Sequence, residues 1–241
     1  MPIDPAPAPL PPDLVPLSKL PNFDPRTVPV AAIDSQLPPV PLPRLQAGAL
    51  RERFRSPPPW QPEVRVEPRF TDRTPADASV LVPIVLREQP TVLLTERTTH
   101  LSTHSGQIAF PGGKRDPTDA DAVHTALREA HEEIGLDGSF VEVIGRMDPY
   151  TTGTGFIVTP VIGLVHAGAP LALNPHEVAD AFEVPLAFLM NPAHHRRHVF
   201  DGAGVRREWF SMPYTDGAAG ERFIWGVTAA ILRNFYRFLA A

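Results

Sequence analysis

Hydrophobic and polar positions follow two textures along this chain. Prolines crowd residues 1–43, which forbids helix and central strand there and favours extended backbone. Leu10, Val15, Leu17, Leu20 and Phe23 are too frequent for a solvated tail, so residues from about 10 to 40 are expected to lie as a strap on a folded domain. Leu45, Leu50 and Phe54, spaced among Arg and Glu, predict a short helix over 45–55 that ends before Pro57-Pro58-Pro59. Val80–Leu86 and Thr91–Thr95 read as two strands joined through Glu88-Gln89-Pro90, a hairpin. The expected organisation is a proline-rich extension over 1–69 and one domain over 70–241.

The strongest helical pattern runs from Ala120 to Ile134. Val123, Leu127, Ala130 and Ile134 fall in one narrow stripe at about 100° per residue. Asp116-Pro117 or Thr118 is expected to cap its start, and Gly135 to end it in the left-handed conformation. Phe140–Gly145, Phe156–Val165 and Glu208–Met212 read as strands. Glu177–Phe182 and Leu186–Leu189 read as short helical or turn pieces, and His194-His195-Arg196-Arg197-His198 as a solvated loop, with a phosphate-contacting lid as the alternative. Ala229, Leu232, Phe235 and Leu239 share a phase and predict an amphipathic helix over 224–239. Strand and helix mix without a βαβ rhythm, so the fold class expected is α/β, a mixed sheet flanked by helices.

Composition narrows the chemistry. Hydrophobic residues make up 43% of the chain, enough for a sizeable core. A net charge of −5 argues against a nucleic-acid partner. The absence of cysteine removes disulfides, thiolate metal sites and a cysteine nucleophile. The first residues lack the pattern of a signal peptide, and no apolar run is long enough to span a membrane. The expected setting is the cytoplasm.

Glu129, Glu132 and Glu133 stand at i, i+3 and i+4 of the predicted helix, roughly 80–180° from its apolar stripe. Three carboxylates that close repel one another unless a cation neutralises them, and hard oxygen ligands favour Mg2+, Mn2+ or Ca2+ over zinc. On these residues alone, a solvated acidic face stays open as the alternative.

The run Gly112-Gly113-Lys114-Arg115 through Arg128-Glu129-Ala130-His131-Glu132-Glu133-Ile134-Gly135-Leu136 resembles the Nudix box, G-x5-E-x7-R-E-U-x-E-E-x-G-U with U apolar. Its second half matches at every fixed position. The first half is one residue longer, so the early glutamate of the pattern falls on Ala120, between Asp119 and Asp121. The resemblance implies a Nudix fold, an α/β/α sandwich around a mixed sheet, and hydrolysis of a diphosphate bond with Mg2+ or Mn2+. It implies Glu129, Glu132 and Glu133 as metal ligands, completed by a carbonyl of the Gly112–Gly113 turn, with Gly113 the residue assigned. Arg128 then orients a carboxylate through a bidentate pair. The catalytic base commonly lies outside the box, and Glu177 is the candidate.

The segment before the box narrows the substrate. Leu93-Leu94-Thr95-Glu96-Arg97-Thr98, Leu101, His104, Gly106-Gln107 and Phe110-Pro111-Gly112-Gly113 resemble the motif of the coenzyme A pyrophosphatase branch. The later runs 158–163, 183–189 and 224–229 are similar to that branch as well. Ser102 departs from it, since the branch carries Arg there. The resemblance implies CoA or a CoA ester as the small-molecule partner, with Arg97, His104 and Lys114 as substrate-binding candidates. Other Nudix substrates (ADP-ribose, NADH, nucleoside triphosphates) and a catalytically inactive binding protein stay open, as does assembly as monomer or homodimer.

Overall fold

The computed structural model describes residues 23–69, 71, 73–98, 106–202, 205–217 and 220–241. In chain order the elements are β1 (Val30–Ile33), α1 (Ala47–Arg55), β2 (Ala76–Val85), β3 (Thr91–Arg97), β4 (Ile108–Ala109) and β5 (Gly112–Lys114). Then come α2 (Ala122–Ile134), β6 (Val141–Arg146), β7 (Tyr150–Thr151), β8 (Phe156–Val165), β9 (Val178–Pro185) and α3 (Leu186–Leu189). The chain closes with β10 (Arg196–Gly202), β11 (Val205–Asp216), β12 (Gly220–Trp225) and α4 (Gly226–Ala240). Leu101, Ser102, His104 and residues 10–22 of the expected strap lie outside the described residues.

Among the described residues, β2 to β9 form one mixed sheet. The central pair β2 and β8 is parallel along its length, and the other pairings are antiparallel. The β2–β3 hairpin is joined only at its turn, through Ile84–Val92 and Val85–Thr91. Beyond those pairs the two strands separate. Away from the turn, β4 pairs with the last residues of β3, and β5 with the first half of β2. The fork between the strands therefore holds the segment that leads to Gly112 and Gly113.

One face of this sheet carries α2. Ala126, Ala130 and Ile134 are fully buried on Leu81, Val85, Leu93, Val161, Val165 and Val178, with Val123 and Leu127 partly buried beside them. Asp121 caps α2, accepting from the His124 N–H at 2.9 Å, and Gly135 ends it at φ 66°. The expected caps Asp116 and Thr118 instead form a turn of the preceding loop, in which Asp116 accepts from the Thr118 N–H.

The opposite face shares a larger core with α4 and a second sheet, ordered β1-β10-β11-β12. Three expectations change here. Residues 178–182 belong to strand β9, because they pair with β3: Phe182 and Val184 bury on one face of the sheet, and Ala181 and, across a register shift, Val178 face α2 on the other. The His194–His198 cluster is no solvated loop: His195 and His198 are 0% and 2% exposed, and β10 begins at Arg196. The closing helix starts at Gly226 and is buried nearly all round, because segments of the extension cover the side left open by the sheets. Asn234 bonds the backbone of Glu63 and Val64, and the Tyr236 hydroxyl donates to the Pro38 carbonyl.

Charge ties the extension down as well. Arg233, 1% exposed, pairs with Asp34 at 2.8 Å and with Glu63 at 2.8 Å, and Arg197 pairs with the same two carboxylates. His195 completes the group. Its Nε2 faces the Leu189 carbonyl, which can only accept, and its Nδ1 faces Arg233, which can only donate. Only the neutral imidazole with its proton on Nε2 satisfies both. Burial agrees, lowering its pKa to about 4.

Candidate active site

The three box glutamates bury in the order that their helical angles dictate. Glu133 lies nearest the apolar stripe and its side chain is 4% exposed, Glu129 follows at 16%, and Glu132, farthest round, is at 52%. The face that carries Glu129 and Glu133 meets the end of the fork. The Gly112 N–H donates to Glu133 Oε2 at 3.2 Å. The Gly113 backbone lies so close to Glu129 that a Cβ there would stand 2.5 Å from the carboxyl carbon. Any side chain at 113 would displace that carboxylate.

Arg128 organises the group from one side. Its Nε and Nη2 grip Asp119 at 3.0 and 2.9 Å, a bidentate pair. Nη2 also reaches Glu129 at 2.9 Å and the Lys114 carbonyl at 3.2 Å, while Nη1 holds Glu132 at 3.0 Å. Asp119 is 2% exposed, and the guanidinium beside it holds its carboxyl well below the usual range. Asp119 is therefore the acid displaced by the longer loop. The sequence places it only as one of two flanks of Ala120.

Arg97 stands on the other side, its Nη1 3.4 Å from Glu133 Oε1. Glu177 lies in the turn before β9, where the Asn174 amide donates to it at 3.2 Å, and its charge is felt by both Glu129 and Glu133. Burial raises the pKa of Glu133 to about 7, against the attraction of Arg97, and the charges of Glu129 and Glu177 add to the rise. Burial raises Glu129 in the same direction. Lys114 is exposed at the end of β5, and it is its carbonyl that meets the cluster. His104 lies outside the described residues. The structure thus gathers Gly113, Arg128, Glu129, Glu132, Glu133, Arg97 and Glu177 at one edge of the sheet.

The NUDIX domain family model matches residues 75–211. A protein of Yersinia pestis (strain Pestoides F) described as an uncharacterized Nudix hydrolase, NudL, is 39% identical over 182 residues, covering 76% of this chain and 89% of its own. The NudL of Yersinia pseudotuberculosis serotype O:1b shows the same figures. The chain belongs to the Nudix hydrolase family. Among solved structures, a C. elegans Ap4A hydrolase binary complex is 19% identical at a TM-score of 0.40, covering 49% of this chain and 85% of its own. RenU, a Nudix hydrolase from M. smegmatis, is 26% identical at 0.39, covering 47% and 71%.

Nudix hydrolases work with divalent metal ions, and the residues of this chain fit one. The donors are carboxylate oxygens and a backbone carbonyl, the set that hard cations select. Burial leaves Glu133 short of compensating charge, and only a glycine at 113 lets the backbone approach Glu129. Among the described residues no three His, Asp or Glu side chains close around a metal-sized point. Arg128 draws Glu129 and Glu132 to itself, and Arg97 occupies Glu133. No described helix is long and apolar enough to cross a membrane.

Proposed function

We propose that this Nudix hydrolase cleaves the diphosphate bond of coenzyme A and its esters with Mg2+ or Mn2+, giving adenosine 3′,5′-bisphosphate and (acyl-)4′-phosphopantetheine. The observation that carries the substrate is the position of β3. Its residues Leu93–Arg97 open the motif similar to that of the CoA pyrophosphatase branch, and it ends with Arg97 against Glu133.

Glu129 and Glu133, with Glu132 directly or through water and the Gly113 carbonyl, would hold the cation. Bound there, it would neutralise diphosphate oxygens and lower the pKa of water. The chain's own residues do the rest. Arg128, fixed by Asp119, holds Glu129 and Glu132 in register. Arg97, His104 and Lys114 supply donors for phosphate oxygens, a need that grows with the 3′-phosphate of CoA. Glu177 accepts a proton from the attacking water. The water oxygen bonds to one phosphorus, and the bridging oxygen leaves with the other phosphate.

The deciding assay measures Mg2+-dependent turnover of CoA, acetyl-CoA, ADP-ribose, NADH and nucleoside triphosphates, with products identified by mass. CoA or its ester should have the highest kcat/KM. A higher value for any of the others overturns the substrate, and hydrolysis of none of them overturns the enzymatic reading.

A further inference from the structure

Two arginines flank the box carboxylates, and they are held very differently. Arg128 is locked by three carboxylates at 2.9–3.0 Å. Arg97 touches one. Among the described residues, Glu133 is the one carboxylate within ion-pair distance of it, and the 3.4 Å separation is long for a charge-assisted bond, which usually lies at about 2.7–2.9 Å. Alternation along β3 explains its direction. Leu93 packs in the core beneath α2, so Thr95 and Arg97 point to that face as well. Arg97 remains about a quarter exposed, at 28%, while the Glu133 side chain is at 4%. The guanidinium therefore has room to move outward, and the carboxylate has almost none.

A divalent cation held by Glu133 and Glu129 would compete with Arg97 for the charge of Glu133, the carboxylate that Arg97 now pairs with. Resting on the function proposed above, we propose that Arg97 is an exchangeable counter-ion. It pairs with Glu133 while the site holds no metal. It yields that carboxylate when a divalent cation binds, and it then turns to the diphosphate oxygens of the substrate. Metal and substrate are thereby coupled: the charge that the metal displaces is the charge that the substrate needs. Such coupling is reciprocal, so each ligand strengthens the other by one factor.

The test uses the full chain and has two readouts that move in opposite directions. Mn2+ binding without substrate is followed by the electron paramagnetic resonance of free Mn2+, for wild type, Arg97→Gln and Arg97→Lys. All three proteins are measured side by side at the same alkaline pH. Charges of +1 and +2 about 5 Å apart repel enough, even at the dielectric constant of water, to change affinity about tenfold. Arg97→Gln should therefore bind Mn2+ about tenfold more tightly than wild type, while its KM for CoA at saturating Mn2+ rises. Arg97→Lys should stay near wild type in Mn2+ affinity. A merely structural arginine would weaken both when removed. Mn2+ binding to Arg97→Gln no tighter than to wild type overturns the exchange, and so does an unchanged KM. If wild type binds no Mn2+, the exchange falls together with the metal site. If the Mn2+ affinities shift as expected but CoA is not hydrolysed, the counter-ion role stands and the substrate assignment falls.

Discussion

Glu133→Gln probes the carboxylate at which burial and charge conflict most. Burial, with the charges of Glu129 and Glu177, lifts the pKa of Glu133 from 4.5 to about 7. The folded chain thus holds this proton more tightly than the unfolded chain. Stability from this group is full below about pH 4.5, falls as pH rises, and levels off above about 7. A gap of about 2.5 pH units corresponds to about 3 kcal/mol lost across that window. Glutamine has no proton to lose. In EDTA, the stability of the variant relative to wild type should therefore grow by about 3 kcal/mol between pH 4 and pH 8. His195 has the opposite slope. Its pKa is depressed to about 4, so its contribution is present above about 6.5 and is lost as pH falls. The two slopes offset each other in wild type, and the variant should show that of His195 unmasked. Urea unfolding at a series of pH values measures this. The same change removes a charged metal ligand, and a loss of about 4 kcal/mol at the transition state is about three decades in kcat. A stability difference that grows by less than about 1 kcal/mol, or CoA turnover above about a tenth of wild type at saturating Mg2+, refutes the reasoning.

Asp119→Asn keeps the shape of the Arg128 clamp but not its charge; kcat at saturating Mg2+ should fall about 10–100-fold, and steady-state kinetics showing less than about a threefold fall would remove Asp119 from the site. Gly113→Ala places a methyl against the Glu129 carboxylate. Mn2+ affinity by calorimetry should weaken about tenfold while the far-UV spectrum is unchanged, and unaltered affinity counts against a metal ligand set that includes Glu129. Asp34→Ala leaves the buried Arg233 with Glu63 as its remaining described carboxylate partner, and urea unfolding should show a loss of about 3 kcal/mol; a loss below about 1 kcal/mol means the extension is not held by charge.

Helix α2 was legible because its signals are local: a 3.6-residue stripe, a left-handed glycine, and carboxylates whose burial follows their angle from that stripe. Its start was read too early because Asp116, Thr118 and Asp121 offer similar capping chemistry, and only the loop decides which one caps. Residues 177–182 carry Glu, Ala and Asp at spacings that suit a helix, but pairing with β3 makes 178–182 a strand. The His194–His198 cluster looked solvated because its partners are remote. Asp34 and Glu63 are 163 and 134 positions from Arg197, and no local pattern announces them. Strands β1 and β12 escaped notice for the same reason.

The joining of β1 and the Pro38 region to β10 and α4 has a consequence for how the protein is made. The partners are far apart in time as well as in sequence. Pro38 and Tyr236 are 198 positions apart, an interval of about 10–40 s at synthesis rates of about 5–20 residues per second. Throughout that interval Val40, Leu45 and Leu50, buried in the finished protein, have no α4 to pack on. A proline-rich stretch suits such a wait. Proline cannot donate to a growing sheet and resists premature helix, so the emerging segment is kept from pairing with itself or with neighbouring chains until its late-made partners arrive.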